Sequence, residues 1–196
     1  MAFRRELDQN TPDWLAWRRG GIGASDAPVV MGVSPWMDLE TLWLDKTGRL
    51  RPAPANGAMR RGQRLEPVAR ALYTRVTGIE VRPICLEHGT ERWMRASFDG
   101  LSADGRVALE IKCPGASDHG TALRGCVPAK YVPQVQHLLA VSGAGVCHYW
   151  SFRDDEGALV EVAPDPAYIA RLIERERAFW RHVVEDRRPG PELVRV

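Results

Sequence analysis

The sequence predicts a mixed α/β (α+β) fold, a central mixed β-sheet flanked by helices. Three observations carry that expectation. Helix-period segments stand at both ends of the chain, strand-like segments follow one another between about residues 80 and 113, and one more helix separates them from two further strands.

The elements follow in order. Thr11-Pro12-Asp13 before W-L-A-W-R-R reads as a capped helix with Pro in its first turn, closed by Gly20-Gly21. Ser25-Asp26 starts a second short helix that runs to Met31. Ser34-Pro35 and Asp38 then lead into a helix through Leu39, Leu42, Trp43 and Leu44 up to Gly48. Residues 49–57, R-L-R-P-A-P-A-N-G, read as a Pro-rich loop. From 58 to 76 the apolar positions Leu65, Val68, Ala69, Leu72, Tyr73 and Val76 keep a helical period, with Glu66 on the border of the stripe and Gly78 closing it. Strands are expected near 80–87, 92–98 and 106–113, and a helix from about Val132, with Pro133 in its first turn, to the glycines at 143 and 145. V-C-H-Y-W-S-F is β-branched and aromatic and reads as a strand, paired with 158–162. A long helix over 166–185 precedes a Pro-Gly-Pro tail, and no internal repeat interrupts this order.

At 196 residues with 44% apolar content, the chain is expected to form a single domain over 1–196. A net charge of +2 means that any nucleic-acid contact must come from a local basic surface, not a global field. No apolar run approaches the roughly 20 residues of a membrane span, and M-A-F-R-R-E-L-D lacks the apolar core of a signal peptide. A cytoplasmic protein is the expectation. The four Cys lack a C-x-x-C pair and the five His lack metal-ligand spacing, which argues against structural zinc or an iron–sulfur site. The seven Trp are spread out and read as core or interface anchors, not as a base-stacking platform.

The chemistry concentrates in S-F-D-G-L-S-A-D-G-R-V-A-L-E-I-K-C-P, residues 97–114. With Asp104-Gly105 as a two-residue hairpin turn, outward pairing sets Asp99 opposite Glu110. Opposed side chains on such a pair stand about 5 Å apart, and like charges there repel. A divalent cation bridging the carboxylates would neutralise them, because hard oxygen donors suit Mg²⁺ or Mn²⁺. Strand alternation puts Lys112 on the face of Glu110, where an ammonium can orient a water or stabilise charge on a phosphate. The same residues equally suit a surface hairpin with a weak exposed ion pair.

With these segments placed, the chain resembles the lambda exonuclease family, the YqaJ-type viral recombinases of the PD-(D/E)-x-K nuclease superfamily. W-L-A-W-R-R-G-G-I-G-A-S-D is similar to the family's N-terminal block at Trp14, Arg18, Gly20, Ile22, Ala24 and Ser25. R-G-Q-R-L-E-P-V-A-R resembles its acidic helix at Glu66. S-F-D-G-L through L-E-I-K-C-P resembles its nuclease core, and Y-V-P-Q-V-Q-H-L-L-A-V the helix after that core. Phe98 stands where the superfamily spelling has Pro, which changes no ligand.

The resemblance implies a restriction-endonuclease-like core and a Mg²⁺-dependent double-strand DNA exonuclease. It would digest processively 5′ to 3′, leaving 3′ single strands for phage-type recombination. Asp99, Glu110, the Ile111 carbonyl and Glu66 would hold two Mg²⁺ ions, with Mn²⁺ able to substitute. Lys112 would position the water or phosphate, with Gln134 beside it and Tyr131 a helper at the same helix end. Arg18, Ser25 and Ser97 would hold the terminal 5′-phosphate, and Gln136 would be structural or touch DNA. The residues alone leave other roles open: Glu66 can pair with Arg70, Ser25 can be an N-cap and Tyr131 can simply pack. A homo-oligomeric ring, by preference a trimer, a single-strand annealing partner and a phage or prophage source in a bacterial cell are further implications. An endonuclease or nickase with the same metal site, and a non-catalytic DNA-end binding protein, are the alternatives.

Overall fold

The computed structural model describes residues 2–51, 54, 56–190 and 193; part of the Pro-rich loop and part of the tail lie outside them. A seven-stranded sheet runs in the order β1 (Phe3–Arg5), β3 (Val81–Glu87), β4 (Met94–Ser102), β5 (Val107–Lys112), β6 (Val146–Arg153) and β7 (Glu156–Val162), with β2 (Ile22–Gly23) pairing β4 off this path. All neighbours are antiparallel except β5–β6 and β2–β4. The parallel β5–β6 pair requires a crossover, and the chain between them supplies α5 (Ala116–Leu123), a 3₁₀ turn (Ala129–Tyr131) and α6 (Val132–Ser142). The mixed, mostly antiparallel sheet with flanking helices is the architecture the sequence predicts.

Local chemistry explains the helix ends. Thr11 Oγ1 accepts from the Trp14 amide at the start of α1 (Pro12–Arg19), and Asp38 accepts from the Thr41 amide at the start of α3 (Leu39–Lys46). Asn56 caps α4 (Gly57–Thr77), and Gly78 at φ 72° ends it in the left-handed conformation that glycine adopts without strain. Asp165 caps α7 (Pro166–Val184), while α2 (Ala27–Val30) is a single buried turn.

Each sheet face has its own core. On one face Val135, Leu138 and Leu139 of α6 pack on Ala96, Phe98, Ala108 and Tyr149. On the other, Ala69 and Tyr73 of α4 pack on Leu109, Ile111, Trp150 and Phe152. A third cluster joins α2, α3 and α7 through Val29, Val30, Leu42, Trp43 and Phe179.

Two irregularities of β4 open the sheet along one edge. Between the Ile84–Phe98 and Arg82–Leu101 pairs, Pro83 alone faces both Asp99 and Gly100, a β-bulge opposite a residue with no amide hydrogen to offer. On its other edge β4 pairs with β2 at Met94 and Arg95 and with β5 only at Gly100 and Leu101. The edge between is open, and Ser97 and Asp99 lie along it. β1, β2 and α5 are not foreseen from sequence, and β4 runs on to Ser102 instead of ending near residue 98.

Candidate active site

The open edge of β4 leads into a cleft of about 1000 Å³. Glu66 from α4, Asp99 from β4, Glu110, Ile111 and Lys112 from β5, Gln134 from α6, and Arg18, Ser25, Ser97 and Tyr131 all line it.

The hairpin register is the expected one. Gly100 pairs with Leu109 and Leu101 with Ala108, so one step further sets Asp99 against Glu110. That last step is not a ladder pair, which corrects the simple opposed-strand picture. β5 peels away there, and the Ile111 amide donates instead to Asp99 Oδ2 at 2.7 Å. The bulge and this amide bond fix the Asp99 carboxylate where the strands part.

Glu110 is 2% exposed. Lys112 Nζ lies 2.6 Å from its Oε1, and Gln134 Nε2 donates to the same oxygen at 2.6 Å. Arg70 pairs with Glu66 one helical turn away and donates through Nε to the Asp99 carbonyl at 2.7 Å. The ion pair open to Glu66 from sequence is therefore formed, and Arg70 also ties α4 to the bulge. Sequence reasoning gives Arg70 only the first of these contacts.

Burial pushes the Glu110 carboxyl up to about 7; Lys112 opposes this and the Asp99 charge adds to it. Asp99 is raised by burial against the pull of Lys112 and the Ile111 amide. Glu66 is raised by burial and by the Asp99 charge. For Lys112 burial works the other way, yet Glu110 and Asp99 outweigh it and its pKa is raised. When ionised, the three carboxylates Glu66, Asp99 and Glu110 outnumber the two cations paired with them, Arg70 and Lys112.

Among the described residues no group of three His, Cys, Asp or Glu side chains stands as a ready cation cage. Lys112, Gln134, Arg70 and the Ile111 amide hold the carboxylates instead. The donor chemistry still fits a hard cation that keeps several waters: three carboxylates with raised pKa values line one cleft, with no sulfur or imidazole ligand among those named.

On the N-terminal side of the cleft, Arg18 donates to Ser25 Oγ at 2.7 Å and lies 4.6 Å over the Trp14 ring. Trp14 Nε1 in turn donates to Ser97 Oγ at 2.7 Å. Trp14 therefore gathers the three anion-site candidates, a role its place in the N-terminal block does not reveal. Gln136 does not join them. It is buried, with Nε2 on the Ala163 carbonyl and Oε1 on the Asp165 amide, and it fastens α6 to the start of α7. Of its two sequence-level readings, the structural one fits, because α6 turns this residue away from the cleft that Gln134 faces.

The YqaJ-like viral recombinase domain family matches residues 13–145. The uncharacterized protein YqaJ of Bacillus subtilis (strain 168) is 28% identical over 185 residues, 93% of this chain; the chain spans about half, 52%, of that relative's length. Among solved structures, the alkaline exonuclease LHK-Exo of Laribacter hongkongensis superposes with a TM-score of 0.77 at 29% identity, covering 90% of this chain and 94% of that one. The same enzyme has been crystallised with dAMP. A phage-related exonuclease from Haemophilus somnus 129PT matches in fold, with a TM-score of 0.64 at 13% identity over 84% of this chain and 94% of that one.

Proposed function

This chain belongs to the YqaJ-like viral recombinase family, and from that premise we propose that it is a divalent-cation-dependent deoxyribonuclease that digests double-stranded DNA from its ends. The observation that carries the reading is the convergence of Asp99, Glu110 and Lys112 where β5 leaves β4, inside a cleft that also holds Glu66 and Gln134. The solved exonuclease that covers 90% of this chain supports the same activity.

In this reading Asp99, Glu110, the Ile111 carbonyl and Glu66 would hold Mg²⁺, or Mn²⁺ in its place, as two ions. Bound there, the cations would lower the pKa of water and neutralise charge on the phosphate. Lys112 exchanges its bond to Glu110 for the attacking water or a phosphate oxygen, and Gln134 keeps the Glu110 carboxylate oriented. The water oxygen forms the new bond to phosphorus and the P–O3′ bond breaks. The released mononucleotide carries the 3′ hydroxyl, and the next nucleotide carries the new 5′-phosphate. Arg18, Ser25 and Ser97, with Trp14 behind them, take the terminal 5′-phosphate as a fork of charge-assisted bonds. Repetition from that end runs 5′ to 3′ and leaves a 3′ single strand. Tyr131 borders Lys112, its ring centroid 5.1 Å from Nζ.

A closed homo-oligomeric ring such as a trimer would make digestion processive. A single-strand annealing protein would take the product, in the cytoplasm of a bacterial host. No helix among the described residues is long and apolar enough to cross a membrane.

A linear duplex labelled at one 5′ end and a circular duplex, each incubated with Mg²⁺, test the proposal. Early release of labelled mononucleotide with the circle intact is the expected result. Loss of the circle would make the chain an endonuclease, and binding without hydrolysis in Mg²⁺ and Mn²⁺ would make it an end-binding protein.

A further inference from the structure

Trp36 departs from its six fellow tryptophans. It is 64% exposed, and it stands on the wall of the cleft. A Trp left in water needs a reason, because its indole offers one of the largest apolar surfaces of any side chain.

Its backing is built. Tyr131 stacks on Trp36 with centroids 5.8 Å apart and planes 30° apart, and Tyr149 lies 5.9 Å beyond Tyr131 at 31°. Tyr149 is buried on β6, so the three rings form a column that starts in the core and ends in solvent. Ser34 Oγ accepts from the amides of Trp36 and Met37 and shapes the turn that presents the indole. Two ion-paired cations flank the column: Lys130 Nζ, 2.8 Å from Asp118 Oδ2, is 5.3 Å from the Trp36 ring and 5.4 Å from Tyr131, and Lys112 Nζ, paired with Glu110, is 5.1 Å from Tyr131.

We propose that Trp36 is a stacking platform for a nucleobase of the DNA strand entering the cleft, with Lys130 beside it for that nucleotide's phosphate. This rests on the nuclease reading and adds a base-binding subsite to it. The chemistry of the column selects the occupant. A flat π-surface next to ammonium groups, on the wall that carries the candidate hydrolytic residues, suits a base with its phosphate attached. Stacking is sequence-tolerant because every base has a π-face, so the platform would grip a frayed end without reading it. Two interactions of the duplex end are at stake, the base pair and the stack beneath it, and the indole replaces the stack.

The test uses the full chain in EDTA, where the DNA stays intact, with 5′-phosphorylated duplexes carrying 2-aminopurine or an abasic residue at either of the first two 5′ positions. Wild-type protein should quench the 2-aminopurine and bind the abasic duplex about five- to 150-fold more weakly, the equivalent of ~1–3 kcal/mol per stacked base. Trp36→Ala should lose the quench and bind both duplexes alike, while Trp36→Phe should keep part of each effect. Equal discrimination by wild type and Trp36→Ala would overturn the proposal. So would an unquenched probe, or a smaller assembly for Trp36→Ala in sedimentation, which would mean that a second copy of the chain covers the ring. A Mg²⁺ digestion run in parallel reports on the nuclease reading: no hydrolysis with the stacking intact refutes that reading alone.

Discussion

Lys112 reaches back along β5 to Glu110, Nζ to Oε1 at 2.6 Å, and so occupies the carboxylate oxygen that a cation would need. The two side chains share a strand face because they are two residues apart. Cation binding must compete with this ion pair, and Lys112 becomes available for water or phosphate only once the pair opens.

Replacing Lys112 should therefore separate binding from chemistry. Lys112→Ala is expected to lower turnover by about 100-fold or more, the cost typical of losing one preorganised charge stabiliser. Cation affinity, read by calorimetry with Mn²⁺, should be unchanged or tighter, since the competing ammonium is gone. Weaker Mn²⁺ binding would show instead that Lys112 supports the carboxylates.

The raised carboxyl of Glu110 gives a pH dependence with a definite sign. A carboxyl whose folded pKa stands at about 7 contributes stability that is full below its unfolded value and is lost as pH rises through 7. A cation offsets that loss by stabilising the ionised form. Thermal melts with and without Mg²⁺ should show a larger Tm gain at pH 8 than at pH 6. Equal gains at the two pH values would mean that Glu110 does not hold the ion.

Much of this arrangement is legible in the sequence, and the parts that are not share a cause. The expected two-residue Asp104-Gly105 turn is replaced by a loop over 103–106, in which the Gly105 amide donates to the Ser102 carbonyl at 2.9 Å and Gly105 sits at φ 71°. The loop is symmetric about the same point, so the hairpin register is the expected one. Helical period and capping residues give α1, α4, α6 and α7 to within a residue or two. The bulge at Asp99, the short β1 and β2 strands, and the departure of β5 from β4 depend on partners far along the chain. No periodicity encodes them. Gln134 and Gln136 look alike in Q-V-Q, yet two residues on a helix are about 200° apart, so one meets Glu110 and the other the start of α7. Sequence spacing puts Trp36 with the core or interface anchors; only the column behind it explains its exposure.

Arg18 offers a test of where digestion begins. Its guanidinium donates to Ser25 and rests on Trp14, so the fork is positioned before any anion arrives. Arg18→Ala should cut the rate on 5′-phosphorylated ends by about 10- to 100-fold, the worth of charge-assisted hydrogen bonds of ~1.5–3 kcal/mol. The rate on 5′-hydroxyl ends should barely change. An equal loss on both ends would move Arg18 from end recognition to general DNA binding.

Behind Arg18 lies a buried pair on which the pocket is built. Lys46 Nζ meets Asp26 Oδ2 at 2.5 Å and donates to the Arg18 carbonyl at 3.2 Å, while Asp26 Oδ2 also accepts from the Gly23 amide at 2.8 Å. Both side chains are nearly inaccessible, so neither charge can turn to water if its partner is lost. Burial pushes the Asp26 carboxyl up, but Lys46, Arg18 and the Gly23 amide outweigh it and hold the pKa below the ordinary value. Its stabilising contribution is thus present above the unfolded value and lost as pH falls through the depressed one. Lys46→Met should cost about 3–5 kcal/mol at pH 7. At about 2–4 °C of Tm per kcal/mol for a chain of this size, that is a fall of roughly 6–20 °C. Without Lys46 the buried Asp26 should take up a proton more easily, so the deficit against wild type should shrink from pH 8 to pH 5. Asp26→Asn in the same chain should recover part of the loss, because its amide oxygen still accepts from Gly23 while the stranded charge is gone. A Lys46→Met deficit that stays constant with pH and is not relieved by Asp26→Asn would show that the pair fills space there and supplies no electrostatic hold on Arg18.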